Sequence, residues 1–269
     1  MKRFILPEAP DKAGMVHLSG SDYHYLVRVR RFTAGAEFSA LLPDGAPTRV
    51  RVRSISAAQL AGECLPERPC ERGAPTPVPT IALFQALPKG VKMDLIVRQA
   101  AEGGVSEIVP FVSAYSVPKI EGGMASDKQA RWERIVREAR QQSGSEVATE
   151  IHTPLSFDGL LSHWEVMKNQ YSVEAATGIF LHPAALLSPA SASGSFHACL
   201  EAPPGYVALA VGPEGGFSAE EAARFIAADF QPLDLGNSIL RTETAAVYAV
   251  AAVRIILLER ASWIRKSPL

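Results

Sequence analysis

The chain has 269 residues, 47% of them hydrophobic, which is enough to bury the core of one large domain or two ordinary ones. A formal net charge of −1 excludes a uniformly basic nucleic-acid binder, and the most apolar windows, such as VAAVRIILLER, are broken by charge well short of a bilayer-spanning length. The opening MKRFILPEAP lacks the apolar core and cleavage site of a secretory leader, so a cytoplasmic protein with no membrane segment is expected.

The charge is unevenly spread. Residues 1–75 hold 11 Lys+Arg against 8 Asp+Glu, and six arginines lie between Arg28 and Arg53, so a basic face able to hold phosphates is compatible with a near-neutral whole. Cys64, Cys70 and Cys199 have neither zinc-ligand spacing nor an even count, and they read as packing or surface residues. No metal site is expected, since His17, His24, His152, His163 and His197 show no ligand spacing.

Short alternating runs dominate the first 75 residues and predict a small β-rich domain. SDYHYLVRVRRF predicts a short helix capped by Ser21, with Leu26 and Val29 inward and Arg28 and Arg31 together outside. EFSALLPDG predicts a strand ending in an Asp44-Gly45 turn. In RVRVR the two-residue period places Arg49, Arg51 and Arg53 on one face, either as a solvated strand surface or as an RNA-facing one, and Val50 and Val52 on the other.

LPERPCERGAPTPVPT then carries five prolines, Pro66, Pro69, Pro75, Pro77 and Pro79, and predicts a linker or extended edge dividing domains 1–74 and 75–269. Beyond it the pattern becomes βα units. TIALFQA, VSEIVPFVS, TGIFLHP and YVALAV predict strands, the last without alternation and therefore covered on both faces. KMDLIVRQAAEGG predicts a helix burying Met93, Ile96, Val97 and Ala100, and DKQARWERIVREARQQSGS one burying Trp132, Ile135, Val136 and Ala139. The second domain is thus α/β.

VGPEGGFSAEE reads as a strand-to-helix turn. Gly215 and Gly216 allow close backbone approach, Pro213 stiffens the turn, and Ser218 with Glu221 forms a capping box; neither the dinucleotide fingerprint nor the P-loop matches. Alone it indicates a turn or a ligand site at a strand end. LGNSILRTETAAVYAVAAVR follows with a glycine turn, plausible caps at Thr242 and Thr244, and an Ala/Val-rich helix.

Taken with FLHP, these stretches resemble the three cofactor loops of SPOUT-class RNA methyltransferases, and most closely the RsmE family, which methylates N3 of a uridine in 16S ribosomal RNA. RFI, HYLVRVRR, KGVKMDLIVRQAAEGGVSEIVPFVS, REARQQSGS, VGPEGGFSAEE and LGNSILRTETAAVYA occur in the family's order across nearly the whole chain. The resemblance implies a PUA-like β-barrel followed by an α/β domain with a trefoil knot, S-adenosyl-L-methionine as cofactor, the small ribosomal subunit as partner, and a homodimer packed on AAVYAVAAVR.

It further implies Arg241 as the cation that stabilises the developing uridine anion, with Glu243 as base or as the group orienting Arg241. Leu181, His182, Gly212, Glu214, Gly215, Gly216, Leu235, Gly236, Ile239, Leu240 and Thr244 would surround the cofactor, His182 also being readable as a loop-shaping residue. Arg3, Arg28 and Arg31 would bind RNA, with Arg49, Arg51 and Arg53 resting on alternation alone. The chain departs from the family at Gly103, at Tyr115 and at Ser145, the last two standing where arginines are usual, which bears on substrate contacts. A non-catalytic ribosome-assembly factor and a SPOUT methyltransferase of another RNA position are the alternative readings.

Overall fold

The computed structural model describes residues 3–66, 79–116, 124–171, 175–183, 195–201, 204–236 and 238–264. The Pro-rich stretch 67–78, with Cys70, lies outside them. The chain divides into two compact units, Met1–Pro75 with Arg140–Ala148, and Thr76–Ala139 with Thr149–Leu269. The first unit is therefore not one contiguous segment, because residues 140–148 join it from beyond the linker.

In the first unit, β1 (Phe4–Ile5), β2 (Met15–Ser19), β3 (Glu37–Leu41), β4 (Pro47–Ile55) and β5 (Gln59–Pro66) form a sheet in the order β1-β3-β4-β5-β2. Its pairings are antiparallel except for β1 with β3. The expected Asp44-Gly45 turn closes with Gly45 N donating to Leu42 O at 2.9 Å and Ala46 N donating to Asp44 Oδ1 at 2.9 Å. Val50 and Val52 are buried beside Phe38 and Leu60, while Arg49, Arg51 and Arg53 occupy the opposite face, as the two-residue period requires.

The segment after β2 corrects the expected helix. A single turn, α1 (Gly20–Tyr23), runs into a π-helical turn over His24–Val29, and Ser19 rather than Ser21 is the N-cap, with no side-chain cap bond. Leu26 is buried, but Val29 is 58% exposed. The i→i+5 bond from Arg30 N to Tyr25 O, 2.8 Å, widens the turn and rotates position 29 out of line with position 26.

The second unit comprises β6 (Thr80–Ala86), α2 (Lys92–Glu102), β7 (Glu107–Val112), α3 (Met124–Ser143, whose last turn joins the first unit), β8 (Glu150–Ile151), β9 (Leu155–Ser156), α4 (Phe157–Tyr171), β10 (Ala176–Leu181), α5 (Phe196–Cys199), β11 (Tyr206–Val211), α6 (Ala219–Ala227), β12 (Phe230–Leu233) and α7 (Thr242–Ile264). Its sheet runs β12-β10-β11-β6-β7-β8, with β9 also on β7, and every pairing is parallel.

Both faces are covered, which explains the unalternating strands. Ile81, Leu83, Val207 and Leu209 pack with Met93, Val97, Trp132, Val136, Ala249 and Val253 of α2, α3 and α7. Their neighbours Ala82, Phe84, Ala208 and Ala210 pack with Leu160, Trp164 and Phe225 of α4 and α6. Phe225 lies at the centre of this second layer, its ring 5.0 Å from those of Phe157, Phe217 and Phe230 and 5.2 Å from Phe180.

Candidate functional site

Parallel pairing brings the three sequence-predicted loops to one edge. The strands β12, β10 and β11 are adjacent, with Leu181 in register with Leu233 and Phe180 with Ala210. The segments that follow them, His182–Pro183, Gly212–Ser218 and Asp234–Arg241, therefore leave the sheet side by side at its carboxyl edge. This is where open parallel sheets hold ligands.

The middle loop is shaped by its glycines. A Cβ on Gly212 would stand 3.1 Å from the backbone of Gly216, and Gly216 itself has φ +71°. Both positions require glycine, one for space and one for conformation. A Cβ on Gly215 would meet Tyr115 at 2.9 Å, so the loop after β7 leans on this turn.

The capping box forms as the sequence predicts, Ser218 N donating to Glu221 Oε2 at 2.9 Å and Glu221 N to Ser218 Oγ at 3.2 Å. Glu221 Oε1 also accepts from Ala114 N at 2.8 Å, which joins the start of α6 to the loop after β7.

Thr242 corrects a sequence expectation. Its hydroxyl is not a helix cap: it donates to Gly212 O at 2.6 Å and accepts from Gln85 Nε2 at 3.0 Å, all three residues being buried. This chain of bonds joins the end of β6, the glycine loop and the first residue of α7. Gln85 was not singled out by sequence, although a glutamine closing the apolar run TIALFQA is the type of residue that buries only when bonded. Thr244 is half-buried at the helix start.

Charge gathers on the same edge. Glu214 accepts from Lys92 Nζ at 2.6 Å and from Lys89 N at 3.2 Å, and Lys92 Nζ also stands 3.8 Å from Glu243 Oε2. Burial opposes the charge on Glu214, but the Lys92 ammonium and the backbone donors hold its carboxyl below the ordinary value. Glu243 Oε2 is shielded from solvent and has no hydrogen-bond partner, and Arg241 beside it is exposed.

His182 is 5% exposed, its N donates to Leu233 O at 3.0 Å, and its Nδ1 is unpaired. Burial pushes its pKa down, against the opposing pull of Asp234. Gly236 turns the third loop at φ +102°, with its N donating to Asp234 Oδ1 at 3.0 Å. Leu181, Leu235 and Leu240 pack on the core, whereas Ile239 is 96% exposed.

The arginines predicted to meet RNA lie in the first unit. Arg49 and Arg51 pair with Glu37 at 2.6 and 2.7 Å, Arg53 pairs with Glu63, and Arg3 pairs with Glu146. Arg28 and Arg31 are exposed, and Arg31 adopts φ +57°. Arg30, which the sequence reading passed over, lies 5.8 Å from the Phe32 ring centroid.

The model of the RNA methyltransferase domain family matches residues 74–254. The chain belongs to this family. The RNA methyltransferase is 32% identical over 247 residues to the ribosomal RNA small subunit methyltransferase E of Synechocystis sp., spanning 90% of this chain and 73% of the relative. It is 30% identical over 258 residues to ribosomal RNA small subunit methyltransferase E 2 of Borreliella burgdorferi, spanning 96% and 98%. The crystal structure of ribosomal RNA small subunit methyltransferase E from Neisseria gonorrhoeae bound to S-adenosyl methionine superposes with a TM-score of 0.73 at 25% identity, covering 95% of this chain and 98% of that one. No helix among the described residues is long and apolar enough to cross a membrane.

The capping box satisfies two backbone donors at the start of α6. Ser218→Ala is expected to lower unfolding stability by about 1 kcal/mol, measured by urea denaturation. Wild-type stability in that variant would contradict this role.

Proposed function

We propose that the protein transfers a methyl group from S-adenosyl-L-methionine to N3 of one uridine of 16S ribosomal RNA in the small subunit, in the cytoplasm. The observation that carries this reading is the convergence of three loops at the carboxyl edge of β10, β11 and β12 in a chain of the RNA methyltransferase family. The names of its relatives support ribosomal RNA of the small subunit as the substrate, and the Neisseria protein's bound ligand supports the methyl donor.

The residues fit such a donor. A Cβ on Gly212 would press on the backbone of Gly216, the space beside Gly216 is open, and Gln85 Oε1 and His182 Nδ1 are buried polar atoms of this edge without hydrogen-bond partners. Leu181, Gly212, Gly216, Leu235, Gly236, Ile239 and Leu240 would surround it, with Glu214, Gly215, Thr244 and His182 bordering the same space. When bound, S-adenosylmethionine supplies an activated methyl on a sulfonium.

The protein's part is to orient the uridine and manage its charge. N3 loses a proton as it is methylated, so negative charge develops on the base. Arg241, at the mouth of the third loop, would stabilise that charge. Glu243 would take the proton or orient Arg241, and its Oε2, which has Lys92 Nζ at 3.8 Å but no hydrogen bond, suits either role. Arg3, Arg28, Arg31, Arg49, Arg51 and Arg53 would hold phosphates on a PUA-like first unit. The carboxylate partners of Arg3, Arg49, Arg51 and Arg53 make Arg28 and Arg31 the stronger members of that set. The α/β unit would contain the family's trefoil knot.

A homodimer is part of the same reading. Between α2 and α7 lies a groove of about 250 Å³ lined by Ile96, Gly103, Val247, Ala251, Ile255 and Leu258, and α7 exposes Tyr248, Ile255 and Leu258 besides its buried face. A helix apolar on more than one side has room for a second partner. Ile255→Glu is expected to halve the mass found by light scattering; a wild-type protein already monomeric at micromolar concentration would rule out this assembly.

The test of the reaction is transfer of labelled methyl to small subunits from cells lacking the protein, followed by mapping of the modified base. Transfer to one uridine N3 is expected, with a loss of about a hundredfold or more in kcat for Arg241→Ala. Labelling of another position, or an Arg241→Ala enzyme as fast as wild type, would overturn the assignment.

A further inference from the structure

At the opposite edge of the same sheet lies a second polar cluster. Glu107 opens β7, His152 follows β8, and His163 lies on α4, an element the sequence reading had not placed. His152 Nε2 and His163 Nε2 stand 2.7 and 2.8 Å from the same Glu107 Oε1, and the candidate ligand atoms of the three residues lie within 4.8 Å of one another. Both Nε2 atoms are shielded from solvent, and neither has a hydrogen bond in line with its ring despite the short separation.

Two imidazole nitrogens and one carboxylate oxygen directed at one point form a three-ligand set for a divalent ion. We propose that Glu107, His152 and His163 bind a divalent transition metal of the zinc class, with solvent completing the coordination.

The surroundings suit that role. Tyr206 donates from its hydroxyl to Glu107 Oε2 at 2.6 Å, which orients the carboxylate and leaves Oε1 for the ion. The His163 ring packs edge-on against Phe84 at 5.9 Å, and the His152 and His163 rings meet at 5.2 Å. Glu150 lies 4.0 Å from His152 Nε2 and adds negative potential. The side chains of His152 and His163 remain 27% and 20% exposed, although their Nε2 atoms are shielded.

Zinc bonds of about 2.0–2.1 Å set ligand atoms about 3.3 Å apart, so the 2.7 and 2.8 Å separations of Glu107 Oε1 from the two Nε2 atoms would lengthen on binding. Tyr206 and Val211 bound a six-residue strand, so the cluster lies about 17 Å from the glycine loop. The ion would fasten β7, the segment after β8 and α4 together without taking part in methyl transfer.

The test uses the full chain, free of any tag and stripped with chelator, titrated with Zn²⁺ by calorimetry and with Co²⁺ by visible absorption. One equivalent is expected, with the intense d–d bands of low-coordinate cobalt and a Tm rise of about 5 °C at a hundredfold excess over Kd. His152→Ala, His163→Ala and Glu107→Gln should each weaken binding at least tenfold, whereas the exposed control His17→Ala should not. Wild-type protein with no binding up to about 100 µM Zn²⁺ would overturn the proposal, as would unchanged affinity in the ligand variants. If one variant fails to fold, the remaining folded ligand variants decide: unchanged Co²⁺ affinity in them would contradict the three-ligand site.

Discussion

The Thr242 hydroxyl makes the contact on which the candidate site depends. It lies between the Gly212 carbonyl and the Gln85 amide, and through it three separate elements meet: the end of β6, the glycine loop after β11 and the first turn of α7. Each group is buried, and losing the hydroxyl removes the donor to Gly212 O at a cost of about 1–3 kcal/mol, whereas Gln85 Nε2 keeps its bond to Ala86 O at 2.9 Å. That penalty fixes the loop far more tightly than a surface bond could. The charged groups around it, Lys92, Glu214 and Glu243, then inherit a defined geometry.

The division of labour along the sheet follows from parallel topology. The strands β6, β7, β10, β11 and β12 run the same way and end at the same edge, so loops distant in sequence gather there, while their amino ends and the short β8 gather at the other. One edge presents glycine backbone, a lysine and two glutamates. The other presents Glu107, His152 and His163, fastened by Tyr206. The same ordering of strands thus creates two chemically different ends.

Much of this was legible in the sequence because it is local. ALAV without alternation indicated a strand covered on both faces, Ser218 and Glu221 spelled their capping box, and Val50 with Val52 declared the inner face of β4. Position 29 was not legible, because a π-helical turn changes the period on which an inward assignment relies. Thr242 looked like a cap because its partners, Gln85 and Gly212, are 157 and 30 residues away.

The histidines show the same limit of local reading. Glu107, His152 and His163 have no motif spacing, since β7, the segment after β8 and α4 meet only in the folded sheet, and α4 itself went unread between Ser156 and Tyr171. Its signal was available: Leu160, Trp164 and Lys168 recur every four residues and are all buried.

The central claim is that the Thr242 hydroxyl holds the glycine loop in a form that binds the methyl donor. Calorimetric titration of S-adenosylmethionine into wild type, Thr242→Ser and Thr242→Val tests it directly. The serine variant should bind within about threefold of wild type and the valine variant at least tenfold more weakly, roughly 1.4 kcal/mol. Equal binding by all three, in proteins of matching fold, would show that the buried bond does not govern the site.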